Sequence, residues 1–195
     1  MGLLRQAKTL TEKQQNVVLD YLEKTRHPVR NALIFLLSFK SGLRAKEIAS
    51  VTWSMICDNE GKIDNFLKLE DKSSKGKSGR IIPLNKQLKE KLVEYKNKLS
   101  KIEMNDCVIR TERSRSTSPQ VIVNFFQRLY KDIGYEGCSS HSGRRNFITN
   151  CSRKISLCGG SLKEVQLMCG HRNLQTTSRY IEHNNQAMKK VVDMI

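Results

Sequence analysis

Six residues carry side chains and spacings suited to chemistry at a phosphate. Arg44 begins a helix directly after a Gly-Leu turn in SGLRAKEI, and Glu47, one turn on, can orient its guanidinium. Taken alone, the same residue reads first as a solvated helix arginine. His141 and Arg144 stand three apart in HSGRRNFIT; if a helix starts there they share a face and can approach one phosphate together. Two arginines clamping non-bridging oxygens would stabilise the charge of a pentavalent phosphoryl transition state. Arg145 points to another face, towards a further phosphate or solvent. Lys75 lies beside Gly76 at the tip of a basic turn, with Lys72 and Lys77 as rivals for the same task. The string LMCGHRNLQTTSRYIEHN contributes His171 after one helix and Tyr180 one turn into the next, which Thr176-Thr177 would open. A tyrosine hydroxyl, with an ordinary pKa of ~10, needs a base or nearby cations to act as a nucleophile. Plain core packing is the alternative for this side chain.

The elements that must position these groups follow from pattern. Thr11 and Gln14 form a capping box for a helix to about Lys24, and Pro28 separates it from a second helix over about 29–39. That second helix is apolar nearly all round, which places it in the core, and Ser41-Gly42 ends it before a short helix over 44–50. From Asn65 to Leu84 the period changes to alternation around DKSSKGKSG, a β-hairpin with a positive tip. Asn85 caps a helix to about Leu99, and Ser118-Pro119 starts another to about Asp132. Residues 107–109 are too short a run to assign. The last third is helical, with a second capping box at Ser161 and Glu164 and a stop at Gly170. The fold class is mainly α with a small antiparallel β-sheet, α+β.

Composition narrows the partner. The 195 residues carry a formal charge of +16, with 20 Lys+Arg against 11 Asp+Glu in residues 1–100 and 15 against 8 in the rest. A basic tail on a neutral domain is excluded, and a polyanion is the expected partner, because a basic surface releases counterions condensed on nucleic acid. The six cysteines form no C-x-x-C pair and the four histidines complete no zinc spacing, so reduced packing thiols and no metal are expected. MGLLRQAKTL lacks the apolar run of a signal peptide, and Ala32 to Leu37 is too short to span a membrane, so a cytoplasmic address without membrane contact is expected.

With these motifs in view the chain resembles the tyrosine recombinases, or phage integrases. It does so at SGLRAKEI, KGKSGRIIPL, HSGRR and LMCGHRNLQTTSRY, in the family's order and with about its separations, from about Thr11 to the end. The resemblance implies the tyrosine recombinase catalytic-domain fold and site-specific DNA cleavage and rejoining without a cofactor. Arg44 and Arg144 would bind the scissile phosphate, with His141 the histidine of the H-x-x-R box. Lys75 would protonate the departing 5′ oxygen, His171 would bond the phosphate, and Tyr180 would form a 3′-phosphotyrosine link. Lys72, Lys77, Arg80, Arg145 and Arg172 are the further residues expected on DNA. Gly143 and Arg145 depart from the family's common H-x-L-R-H form.

Only 43 residues precede Arg44, where typical members carry a helical DNA-clamping domain. The expectation is a single catalytic domain over 1–195 with no separate core-binding domain. Residues 1–10 would be an extension, and 181–195 a C-terminal helical segment that docks on a neighbour or folds back. Double-stranded DNA, other copies of the chain in a tetrameric synapse and an accessory DNA-binding protein are the expected partners. A non-catalytic DNA-binding regulator on the same scaffold, or a type IB-like topoisomerase, would share the motifs and differ in strand exchange.

Overall fold

Helix α1 (Glu12–Glu23) opens on the expected reciprocal cap: the Gln14 N–H donates to Thr11 Oγ1, and the Thr11 N–H donates to Gln14 Oε1. The structure is a computed structural model describing residues 6–70, 79–112, 114–181, 189 and 192–194. The lysines at 72, 75 and 77 therefore lie outside the described residues, as does most of the segment 181–195. The described chain separates into two compact units, Met1–Phe147 and Ile148–Ile195.

The first unit is built around α2 (Pro28–Ser41), whose residues 31–39 are all buried, as its continuous apolar sequence requires. Pro28 fits the first turn, where its missing N–H costs nothing. Gly42 ends the helix in the left-handed region at φ 63°, which an L side chain adopts only with strain. Helix α3 (Ala45–Ser50) follows, with Arg44 at its N-cap, then a 3₁₀ turn over Trp53–Met55. α2 packs on α1, α3 and α4 (Lys86–Asn97), and α3 packs on α5 (Pro119–Asp132). Asn85 and Ser118 cap α4 and α5 through their side-chain oxygens.

The hairpin appears where the alternation placed it. Strand β1 (Phe66–Leu69) pairs antiparallel with β2 (Arg80–Pro83), in the register Phe66 to Pro83 and Leu69 to Arg80. Leu67, Leu69, Arg80 and Ile82 face inward. Residues 107–109, unassigned from sequence, are core: Thr52 bridges to Cys107, the Val108 N–H donates to the Val51 carbonyl, and Val108 and Ile109 are buried. A single bridge to a partner some 55 residues away leaves no local periodicity to read.

Helix α6 (Ser142–Lys154) begins in the first unit and ends in the second. The second unit continues with a 3₁₀ turn (Ile155–Cys158), α7 (Leu162–Cys169) and α8 (Leu174–Ser178). Ser161 and Glu164 make the second capping box, and Gly170 ends α7 at φ 61°. The last helix differs from expectation. It starts at Leu174, because Asn173 caps it by accepting the Gln175 N–H, and Thr176-Thr177 lie inside it. It stops at Ser178, so Tyr180 sits just beyond its end, its N–H turned back to the Thr177 carbonyl in a tight turn.

All six cysteines are free thiols. Burial, with Cys169 nearby, pushes the Cys151 thiol up to about 11. Among the described residues no helix is long and apolar enough to cross a membrane.

Candidate active site

In the first unit the site begins with one buried carboxylate. Glu47, 1% exposed, stands one turn into α3 and takes four hydrogen bonds. Its Oε1 accepts from an Arg44 terminal nitrogen at 3.0 Å and an Arg80 terminal nitrogen at 2.9 Å. Its Oε2 accepts from the Arg44 backbone N–H at 2.8 Å and the second Arg80 terminal nitrogen at 3.0 Å. All the lone-pair positions of the carboxylate are thereby used, and two guanidinium planes are fixed by one anion. Burial alone would raise the Glu47 pKa, but the Arg80 hydrogen bonds and charge, joined by the Arg44 N–H and charge, outweigh it and hold the carboxyl below its ordinary value.

Arg144 enters from α6. It is 6% exposed and donates to the Gly42 carbonyl at 2.8 Å, two residues before Arg44. The two arginines of the H-x-x-R and SGLR motifs are thus tied to one turn. The close approach of α6 to α2 depends on Gly143: a Cβ there would overlap Ser38 Oγ and lie 2.6 Å from the Phe39 ring. Leucine, common at this position in related motifs, would not fit this packing. His141 is exposed in the turn just before α6, where its N–H donates to Ser139 Oγ and its carbonyl receives the Arg145 N–H. Three guanidinium groups, from Arg44, Arg80 and Arg144, thus come to the segment around Gly42 and Glu47 from three elements.

One of the residues assigned to the DNA surface is placed otherwise. Arg80 is 8% exposed and engaged with Glu47, so its role is to hold that carboxylate rather than to meet DNA. The hairpin itself carried the signal, since Arg80 shares the inward parity of Ile82, whereas Ile81 faces out. Arg145 is half-buried and donates to the Ala7 carbonyl at 2.9 Å, tying down the N-terminal segment. The buried Asn146 also holds this segment, its Oδ1 accepting the Leu10 N–H at 2.8 Å. Arg172 lies at the surface.

The second unit, described by itself, holds His171 and Tyr180. His171 follows the left-handed Gly170, and its backbone is clamped by Gln166: the His171 N–H donates to the Gln166 carbonyl, and Gln166 Nε2 donates to the His171 carbonyl at 2.8 Å. Its ring Nδ1 lies 2.9 Å from Thr177 Oγ1. The half-buried Tyr180 ring stacks on the imidazole, with centroids 6.1 Å apart and planes 20° from parallel. Gln166 and Thr177 went unnoticed in the sequence, because they reach His171 from α7 and α8 and share no helical face with it.

A mainly helical fold with one hairpin, an arginine pair locked by a buried carboxylate and a His–Tyr stack mark out a class of protein. The chain belongs to the phage integrase family, whose model matches residues 8–187. It is 28% identical over 179 residues to the tyrosine recombinase XerC of Rickettsia bellii, covering 89% of this chain and 55% of that protein. To the tyrosine recombinase XerA of Pyrococcus furiosus it is 25% identical over 189 residues, covering 95% and 61%. The chain thus spans little more than half the length of these relatives.

Solved structures share the fold. A crystal structure of XerA recombinase superposes with a TM-score of 0.72 at 20% identity, covering 95% of this chain and 64% of that one. The Tn1549 transposon integrase, in complex with a circular intermediate DNA, gives 0.75 at 16% identity, covering 97% and 66%. A lambda integrase dimer bound to a COC′ core site gives 0.69 at 21%, covering 95% and 62%.

Proposed function

We propose that this chain is the catalytic part of a tyrosine site-specific recombinase that cuts and rejoins double-stranded DNA through Tyr180. The observation that carries the reading is the Glu47 carboxylate holding Arg44 and Arg80, beside Arg144 on the Gly42 carbonyl. Cations fixed before the substrate arrives need no reorganisation when charge develops on phosphorus, which is where electrostatic catalysis gains most. Arg44 and Arg144 bind the non-bridging oxygens, joined by His141 and His171.

Tyr180 Oη attacks phosphorus and gives up its proton. The new bond is a 3′-phosphotyrosine, and the bond broken is that from phosphorus to the 5′ oxygen. Lys75 protonates that leaving oxygen, a contribution of about 10² to 10⁴ in rate for a positioned acid. Attack by a 5′ hydroxyl in the reverse sense restores the DNA and the tyrosine. No cofactor takes part in the scheme. Lys72, Lys77 and Arg172 contact the DNA backbone, and copies of the chain assemble as a tetramer on two duplexes, with or without an accessory DNA-binding protein.

Strand exchange between two differently labelled duplexes tests the reading. Recombinant products that require the Tyr180 hydroxyl are expected. Relaxation of supercoils with no exchange, in the full-length protein supplied with its site, would place the chain among topoisomerases instead.

A further inference from the structure

The Thr177 side chain is fully buried, and among the described residues its hydroxyl meets one hydrogen-bond partner, Nδ1 of His171 at 2.9 Å. A hydroxyl carries a proton that must go somewhere, and among the described residues this nitrogen is the acceptor within reach of it. If instead Nδ1 carried the proton and donated to Oγ1, the hydroxyl hydrogen would be left unpaired in the interior, at a cost of about 1–3 kcal/mol. The two directions of one hydrogen bond therefore differ in energy, and the favoured one fixes the tautomer of the ring.

We infer that Thr177 is a positioning residue for His171: it donates to Nδ1, and so holds the neutral imidazole with its proton on Nε2, as a hydrogen-bond donor for a phosphate oxygen. The inference rests on the proposed recombinase reading for the identity of the acceptor, though the tautomer itself does not. Gln166 supports the arrangement by fixing the His171 backbone on both sides, and the Tyr180 ring covers one face of the imidazole. A side chain whose ring nitrogens are interchangeable by a flip becomes a donor of set direction. The nucleophile and the donor are then ordered by the same short helix, α8, and the turn that follows it.

The test has two readouts. Long-range ¹⁵N–¹H correlation spectra of the DNA-free protein at neutral to alkaline pH report which His171 nitrogen bears the proton; Nε2–H is expected, with a slowly exchanging Thr177 hydroxyl proton close to the ring. Single-turnover cleavage of a nicked substrate by saturating protein is expected to slow about tenfold in Thr177→Val, with DNA affinity kept, and to return to within about twofold of the parent in Thr177→Ser. A parent His171 protonated on Nδ1, or a folded Thr177→Val that cleaves at the parent's rate, overturns the inference. A parent with the Nε2–H tautomer that binds DNA and never cleaves it would leave the positioning standing and defeat the recombinase reading.

Discussion

Glu47 is the residue that fixes the Arg44 and Arg80 guanidinium groups in the first unit. Removing its charge leaves two guanidinium groups packed together without an anion, and breaking a buried pair from one side costs about 3–5 kcal/mol. Glu47→Gln is therefore expected to lower unfolding free energy by that amount at pH 7, measured by urea denaturation, and to slow cleavage as Arg44 loses its orientation. The pH dependence has a definite sign. The folded-state pKa of Glu47 lies below its unfolded value, so its stabilisation is present above the ordinary carboxylate range and is lost as pH falls through the depressed folded value. The gap between parent and Glu47→Gln should close on acidification. A gap that is constant from pH 7 to pH 3 would show that the carboxylate charge does not matter. At this scale the sequence was partly legible. The spacing of Arg44 and Glu47 announced their pairing, while Arg80 was hidden because its basic character suggested a surface and its strand parity was not applied to it.

Elements place these residues, and two glycines set how closely they can do so. Gly42 combines a left-handed φ with a Cβ position 2.5 Å from the Phe147 ring, and its carbonyl holds Arg144. Gly42→Ala is expected to destabilise the fold by about 1–3 kcal/mol from backbone strain alone, read as a lowered melting temperature, and to weaken cleavage through Arg144. An unchanged melting temperature would contradict the packing described. Helix boundaries were legible where a cap is written in the chain: Thr11 with Gln14, Ser161 with Glu164, Gly42 and Gly170. They failed at α8, where the pair Thr176-Thr177 drew attention from Asn173, a better cap, and displaced the start by two residues. The segment 107–109 was unreadable for a different reason, since its order comes from Val51 and Thr52 far away in sequence.

For the whole molecule, the proposed reading makes charge govern an encounter with DNA. With +16 spread along the chain, the logarithm of the binding constant should fall linearly with the logarithm of salt concentration. Arg172→Ala is expected to make that slope shallower by about one, as loss of a single phosphate contact would. Arg80→Ala should do the reverse, lowering stability with little change in slope. A slope unmoved by Arg172→Ala would remove that residue from the DNA surface. The fold class, mainly α with one hairpin, was legible from periodicity. Its division into two units was not, because α6 runs across the boundary with an unbroken helical sequence.

On the proposed reading Tyr180 becomes joined to DNA, and covalent trapping shows whether it does. The protein is incubated with nicked duplexes from a random pool, so that the short fragment bearing the freed 5′ hydroxyl diffuses away after cleavage and rejoining is blocked. An adduct that survives denaturation, maps by peptide sequencing to Tyr180 and disappears in a Tyr180→Phe variant that still binds DNA is the predicted result. An adduct mapped to another residue, or formed equally well by Tyr180→Phe, would contradict the account.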